Sequence, residues 1–172
     1  MLELVRSATL ITATLATGLM AGVFGLYANT IMPGLGRTDD RTFVGAFQSI
    51  DKAIINPLFL AIFFGALLFT GLAAALHLGR PERSVLPWIL AALLLYLTAL
   101  VVTIVVAVPL NDALKAAGDA DRIPDLAAVR ERFNEAKWIR WNVFRAVLSA
   151  AAFGCLAWAL VLHGRMTDAG GD

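Results

Sequence analysis

The side chains with chemistry to offer in this chain fall in a few short stretches. These are Asn29, Phe47-Gln48-Ser49-Ile50-Asp51, Asn56-Pro57, Val108-Pro109-Leu110-Asn111 and Trp141-Asn142-Val143-Phe144-Arg145. They supply a carboxylate, a guanidinium and several amides. The types that are missing exclude most familiar chemistries. A single Cys155 leaves no paired-thiol redox centre, disulfide scaffold or cysteine zinc site. A haem or metal site would have to use His77 and His163, and no HExxH or carboxylate–histidine cluster exists. Both histidines sit near helix C-termini, where contact with the helix dipole accounts for them. Neither has a plausible partner for a Ser-His-Asp relay. What these residues allow is a metal-free site.

The elements that must position them are membrane spans. Of 172 residues, 59% are hydrophobic and 16% charged, and mean hydropathy is +0.77. Soluble domains carry about 25% charged residues, so a soluble domain, a disordered tail and a nucleic-acid binder are excluded together. Net charge is +1, which calls for no electrostatic partner. Charges are absent from Ser7 to Gly36, Ala53 to Gly79, Ser84 to Asn111 and Ala146 to Gly164. A span needs roughly 20 apolar residues, which three gaps exceed and the fourth reaches once Trp141 to Phe144 are added, with Arg145 inside it. The expectation is an all-α membrane protein, a bundle of four transmembrane helices near 7–33, 57–79, 85–108 and 139–163, in one domain. The first run is too long for a signal-peptide core and lacks a small-residue cleavage site, so it is read as a retained helix. No span contains a carboxylate, which excludes a proton-coupled exporter.

The connections are uneven. Between the second and third spans lies a short turn, with Gly79 placed to cap and Pro81 to stop the helix. The first connection opens with the N-cap cluster Thr38-Asp39-Asp40, followed by Phe43, Phe47, Ile50 and Ile54 on one helical stripe. The third holds 12 of the 27 formal charges, with Leu126, Val129, Phe133 and Ala136 at helical spacing. Each long connection therefore predicts a short amphipathic helix, lying on the interface or folded over the bundle mouth. Alternating helix direction puts both at the same end.

That end collects Asn29, Gln48, Asp51, Asn56, Asn111, Asn142 and Arg145, while the other offers Arg6, Arg80, Arg83, His77, His163 and Arg165 beyond its acids. Polar groups at membrane depth are costly unless paired or used, so the asymmetry marks a site. Simpler readings stand beside it. Asn56-Pro57 is also what a helix start looks like, and Pro109 also suits the end of the third span, with Asn111 in the turn after it. Trp88, Trp138 and Trp141 suit an interfacial aromatic belt as well as a ring-stacking wall. Arg145 shares a helix face with Asn142 and is expected to turn inward, toward Asp51 or the asparagines. Small residues at Gly18, Gly22, Ala21 and Gly25, at Ala66, Thr70 and Ala74, and at Ser149, Ala150, Ala151 and Gly154 allow close packing, within the chain or between copies in a homo-oligomer.

Four segments carry a family resemblance: Gly18 to Phe24 (GLMAGVF), Phe47 to Pro57 (FQSIDKAIINP), Val108 to Asn111 (VPLN) and Trp141-Asn142-x-x-Arg145. Together they resemble the DUF1772, anthrone oxygenase-like membrane proteins over nearly the whole chain. Relatives often carry His where this chain has Val143, and Asn where it has Asp51. The resemblance implies a four-helix membrane fold and, among members with an activity, oxidation of anthrones to anthraquinones in polyketide pathways, using dioxygen and no cofactor. It implies the lipid bilayer, a lipophilic aromatic molecule and dioxygen as partners. On that reading Asp51 is the candidate base, and Arg145, Asn142 and Asn111 stabilise the oxyanion. Phe24, Tyr27, Phe47 and Trp141 form aromatic walls, and Asn29, Gln48 and Asn56 complete the binding site. The alternatives are a membrane scaffold or accessory subunit whose polar network sets helix register, and a carrier of lipophilic molecules without chemistry. Nine Lys and Arg in the polar-end connections, against four at the other end, predict that end on the cytoplasmic side; the membrane expected is the bacterial cytoplasmic membrane.

Overall fold

A computed structural model describes residues 1–79 and 84–169. All regular structure among the described residues is helical. The helices are α1 (Leu2–Leu35), α2 (Asp40–Ile54), α3 (Pro57–Leu76), α4 (Leu86–Ala116), α5 (Leu126–Phe133) and α6 (Glu135–Ala169). α1, α3, α4 and the helix pair α5–α6 are long and apolar enough to cross a membrane. This is an integral membrane protein by the length and composition of its helices. Pro81, expected to stop the second span, lies with Arg80 and Arg83 outside the described residues.

The long helices close a ring, α1 on α3 and α6, α4 on α6 and α3. Its core is small and apolar: Leu10, Ala13, Ala66, Ala73, Ile89, Ala92, Ala152, Leu156 and Ala159 are fully buried. In a bilayer the gain from such contacts is van der Waals packing, which favours small side chains where backbones approach. A Cβ on Gly18 would stand 2.9 Å from the Phe153 ring of α6, whereas one on Gly22 would meet nothing within 4 Å. On α6 the packing face uses Ser149 and Ala152, with Ala150 and Ala151 turned outward.

Two long helices run past the prolines expected to end them. α1 continues through Pro33, and α4 through Pro109 to Ala116, so Asn111 lies on a helix and not in a turn. Just ahead of each proline the helix widens into a π turn, Tyr27–Ile31 in α1 and Thr103–Ala107 in α4. Proline has no N–H to donate, and a π turn re-registers the backbone bonds around it.

The two connecting helices fold over one end of the ring. Asp39 caps α2, its carboxylate accepting from the Thr42 amide at 2.8 Å, and that bond holds its pKa below the usual carboxylate range. Asn56 caps α3 in the same way, accepting from Phe59 N at 3.0 Å. α5 stops at Asn134, which adopts φ 54° and then caps α6 by accepting from Lys137 N at 3.1 Å. Phe43, Val44 and Phe47 of α2 pack with Met32, Leu114, Phe133 and Trp138 into a second core, which forms the roof. Arg130 clamps this roof. It donates to Thr38 O at 3.0 Å, Asp40 Oδ1 at 3.1 Å and Glu135 Oε2 at 2.9 Å, with its guanidinium 4.2 Å from the Phe43 ring centre.

Candidate functional site

Beneath the roof lies a cavity of about 240 Å³. Each surrounding element contributes a stripe. α1 gives Phe24 and Tyr27, α2 gives Phe47 and Asp51, α3 gives Phe59 and Phe63, α4 gives Thr103 and Asn111, and α6 gives Trp138, Asn142 and Arg145. Both π turns reach its wall, through Tyr27 and through Thr103, Ile104 and Ala107. The polar groups stand in two sets against mostly apolar walls.

The first set hangs from α2 and α4. Asp51, 7% exposed, accepts from Asn111 Nδ2 at 2.7 Å through one oxygen, and its other oxygen lies 3.1 Å from Lys115 Nζ. The Asn111 oxygen in turn accepts from Trp138 Nε1 at 2.8 Å. A chain of three side chains thus runs from α6 through α4 to α2. Each member fixes the orientation of the next.

The second set lies on α6. Asn142 is fully buried; its amide donates to the Phe24 carbonyl at 2.9 Å, and its oxygen accepts from Arg145 Nη2 at 2.9 Å. Arg145, 4% exposed, also donates to Thr103 Oγ1 at 3.1 Å. Its guanidinium carbon sits 4.6 Å from the centre of the Phe24 ring and 5.5 Å from that of Trp138. The Nε–H finds no partner among the described residues. A guanidinium held by neutral acceptors and ring faces keeps its full charge available to an anion placed in the cavity.

Seven of the residues singled out from sequence line this cavity: Phe24, Tyr27, Phe47, Asp51, Asn111, Asn142 and Arg145. Four do not. Asn29 is exposed and accepts from the neighbouring Thr30 hydroxyl. Gln48 ties α2 to the end of α4, donating to Leu114 O at 2.8 Å and Gly118 O at 2.9 Å. Gly118, at φ +91°, supplies the left-handed turn that presents that carbonyl. Asn56 is an exposed helix cap. Trp141 packs on Phe144, with ring centres 5.7 Å apart, outside the cavity. The indole in the wall is Trp138. The spacing 138, 142, 145 places it on the stripe of Asn142 and Arg145, a signal in the sequence that the belt reading covered. Thr103, Phe59, Phe63 and Lys115 carried no comparable signal. Of the two partners expected for Arg145, Asp51 or the asparagines, the structure gives Asn142; Lys115 reaches the Asp51 carboxylate from within α4.

The histidines lie at the opposite end of the bundle. His77 and His163 are buried against each other, Nε2 to Nδ1 at 3.4 Å, with Ser7 Oγ 2.9 Å from His163 and the Ala73 carbonyl 2.7 Å from His77. His77 stands at the C-terminus of α3 against a carbonyl of its last turn, as expected, whereas His163 lies inside α6, and the two rings pack on one another. Among the described residues no three His, Cys, Asp or Glu side chains gather where they could hold a metal ion.

The family model described as anthrone oxygenase matches residues 54–155, more than half of the chain. No curated protein and no solved structure matches it.

Proposed function

From the premise that this chain belongs to the anthrone oxygenase family, DUF1772, we propose that it is a membrane oxygenase acting without a cofactor on an anthrone-like aromatic substrate in a bacterial cytoplasmic membrane. The observation that carries this reading is the pairing of a buried carboxylate, Asp51, and a buried guanidinium, Arg145, around one cavity with aromatic walls. An anthrone is a carbon acid whose anion is a delocalised phenolate, able to give electrons to dioxygen without help. The protein's share is to take one proton, steady the oxyanion and hold the rings flat.

In this reading Asp51 accepts a proton from the ring methylene, and Arg145 holds the oxyanion that develops on the ring carbonyl. Phe24, Phe47 and Trp138 confine the ring system. The carbanion carbon bonds to dioxygen, and the proton from Asp51 returns to give a hydroperoxide. Loss of the second methylene proton, with cleavage of the O–O bond, leaves a carbonyl and releases one water. One CH₂ and one O₂ thus become one C=O and one H₂O. Asn111 and Asn142 act as positioning residues, because their amides are already committed to Asp51, Trp138, Phe24 and Arg145.

The test is dioxygen uptake by the purified protein in proteoliposomes with anthrone, with anthraquinone followed by absorbance. Uptake matched by quinone, and abolished in Asp51→Asn and Arg145→Ala proteins that still fold, supports the reading. Anthrone that oxidises no faster than in empty vesicles overturns it.

A further inference from the structure

A molecule bound beside Arg145 needs a way in. Five side chains both line the cavity and stand on the outer surface: Ile55 between α2 and α3, Leu60 and Phe64 of α3, and Ile104 and Val108 of α4. Phe64 and Ile104 are each 54% exposed. Side chains that reach an inner wall and the outer surface at once mark where a cavity wall is one side chain thick. Four of the five stand along the seam between α3 and α4, so the cavity wall is thinnest there.

The course of the two helices explains the seam. α3 packs on the first part of α4, Leu86–Val102, but has little contact with the stretch beyond, where the π turn Thr103–Ala107 begins. The rim is wholly apolar. Phe64 lies seven residues inside α3 from Pro57, about 10 Å along the helix at 1.5 Å per residue, at the depth of acyl chains rather than of water.

The water side is covered by the roof, with Ile55, 55% exposed, at its edge. The roof helix α2 is latched by Gln48 and by the Asp51–Lys115 pair, over the Phe47, Phe133 and Trp138 rings. A polar depression formed by Gln48, Lys52, Lys115 and Asp119 lies outside this roof and shares only Ile55 with the cavity.

We infer that the α3–α4 seam is a lateral portal that loads the site from the bilayer. The substrate class is then planar lipophilic molecules already dissolved in the membrane, and Leu60, Phe64, Ile104 and Val108 set the width of ring system admitted. This rests on the proposed function for the identity of the ligand, but not for the existence of the opening.

The experiment reads the opening without turnover. Trp88, Trp141 and Trp158 are replaced by Phe, leaving Trp138 at the back of the cavity as the one fluorophore. The protein is placed in vesicles of phosphatidylcholine brominated on its acyl chains, a contact-range quencher, and separately exposed to aqueous iodide. The expected result is loss of Trp138 emission with brominated lipid and none with iodide. Adding Leu60→Phe and Val108→Phe should restore emission by narrowing the rim. Quenching by iodide overturns the portal in favour of a route beside Ile55. No quenching by brominated lipid overturns it as well, whether the seam is shut or covered by a second copy. If lipid quenches Trp138 but anthrone is not consumed, the portal stands and the oxygenase reading falls.

Discussion

Asn111 stands between Trp138 and Asp51, accepting from the indole N–H at 2.8 Å and donating to the carboxylate at 2.7 Å. This one amide couples the start of the last long helix to the roof helix α2. The coupling makes the two neighbouring tryptophans unequal.

Trp138→Phe keeps a benzene ring and removes the five-membered part of the indole with its N–H. It should lower stability by about 1–3 kcal/mol, from the space left at a buried site and the Asn111 oxygen left without its donor. Trp141→Phe should stay within about 0.5 kcal/mol of the parent, because Trp141 packs outside the cavity. Denaturant unfolding of both variants in one detergent checks this; equal losses would place both rings in the belt.

Arg145→Ala should cost activity far more than stability. The fold loses about 1–3 kcal/mol from the unpaired Asn142 oxygen, less than a broken buried ion pair would cost. Anthrone-dependent dioxygen uptake should fall about 100- to 1000-fold, the usual effect of removing an oxyanion donor. Arg145→Lys keeps charge without the planar fork and should fall between the two. Uptake in Arg145→Ala equal to the parent would remove the guanidinium from the site.

Asp51→Asn should fold, because Lys115, with a side chain 49% exposed, remains solvated when its partner loses charge. A lost general base should slow turnover by about 100-fold or more. Initial rates at saturating anthrone, with melting temperature measured alongside, separate the base from a mere latch. Unchanged rates would show that Asp51 only holds down the roof.

Arg130→Ala should loosen the roof and leave the bundle intact. The guanidinium bonds Thr38, Asp40 and Glu135, so its loss frees the start of α2. Hydrogen exchange should rise across Asp40–Ile54 and stay unchanged in α1, α3 and the membrane part of α6. Uniform acceleration would mean that roof and bundle unfold as one unit.

The charge-free tracts by themselves determined an all-helical membrane protein with four apolar helices, because hydrocarbon excludes charge and demands internally bonded backbone. The period of Phe43, Phe47 and Ile50 likewise declared α2, and the crowding of amides, Asp51 and Arg145 at one end declared where polar groups must meet. Spacing along one helix also paired Arg145 with Asn142, but tertiary structure alone decided which polar groups meet between helices. Asn56 and Gln48 are spent on a helix cap and a strap, which look the same in sequence as binding groups. Pro109 reads as a stop and the first span is expected to end at Pro33, yet π turns let both helices continue, since backbone bonds can be re-registered where neighbours pack. Lys115 rather than Arg145 reaches Asp51 because α2 crosses the end of α4, a choice made by how the roof folds back. Periodicity along one helix constrains which residues share a face; it contains nothing about which face of another helix will stand opposite.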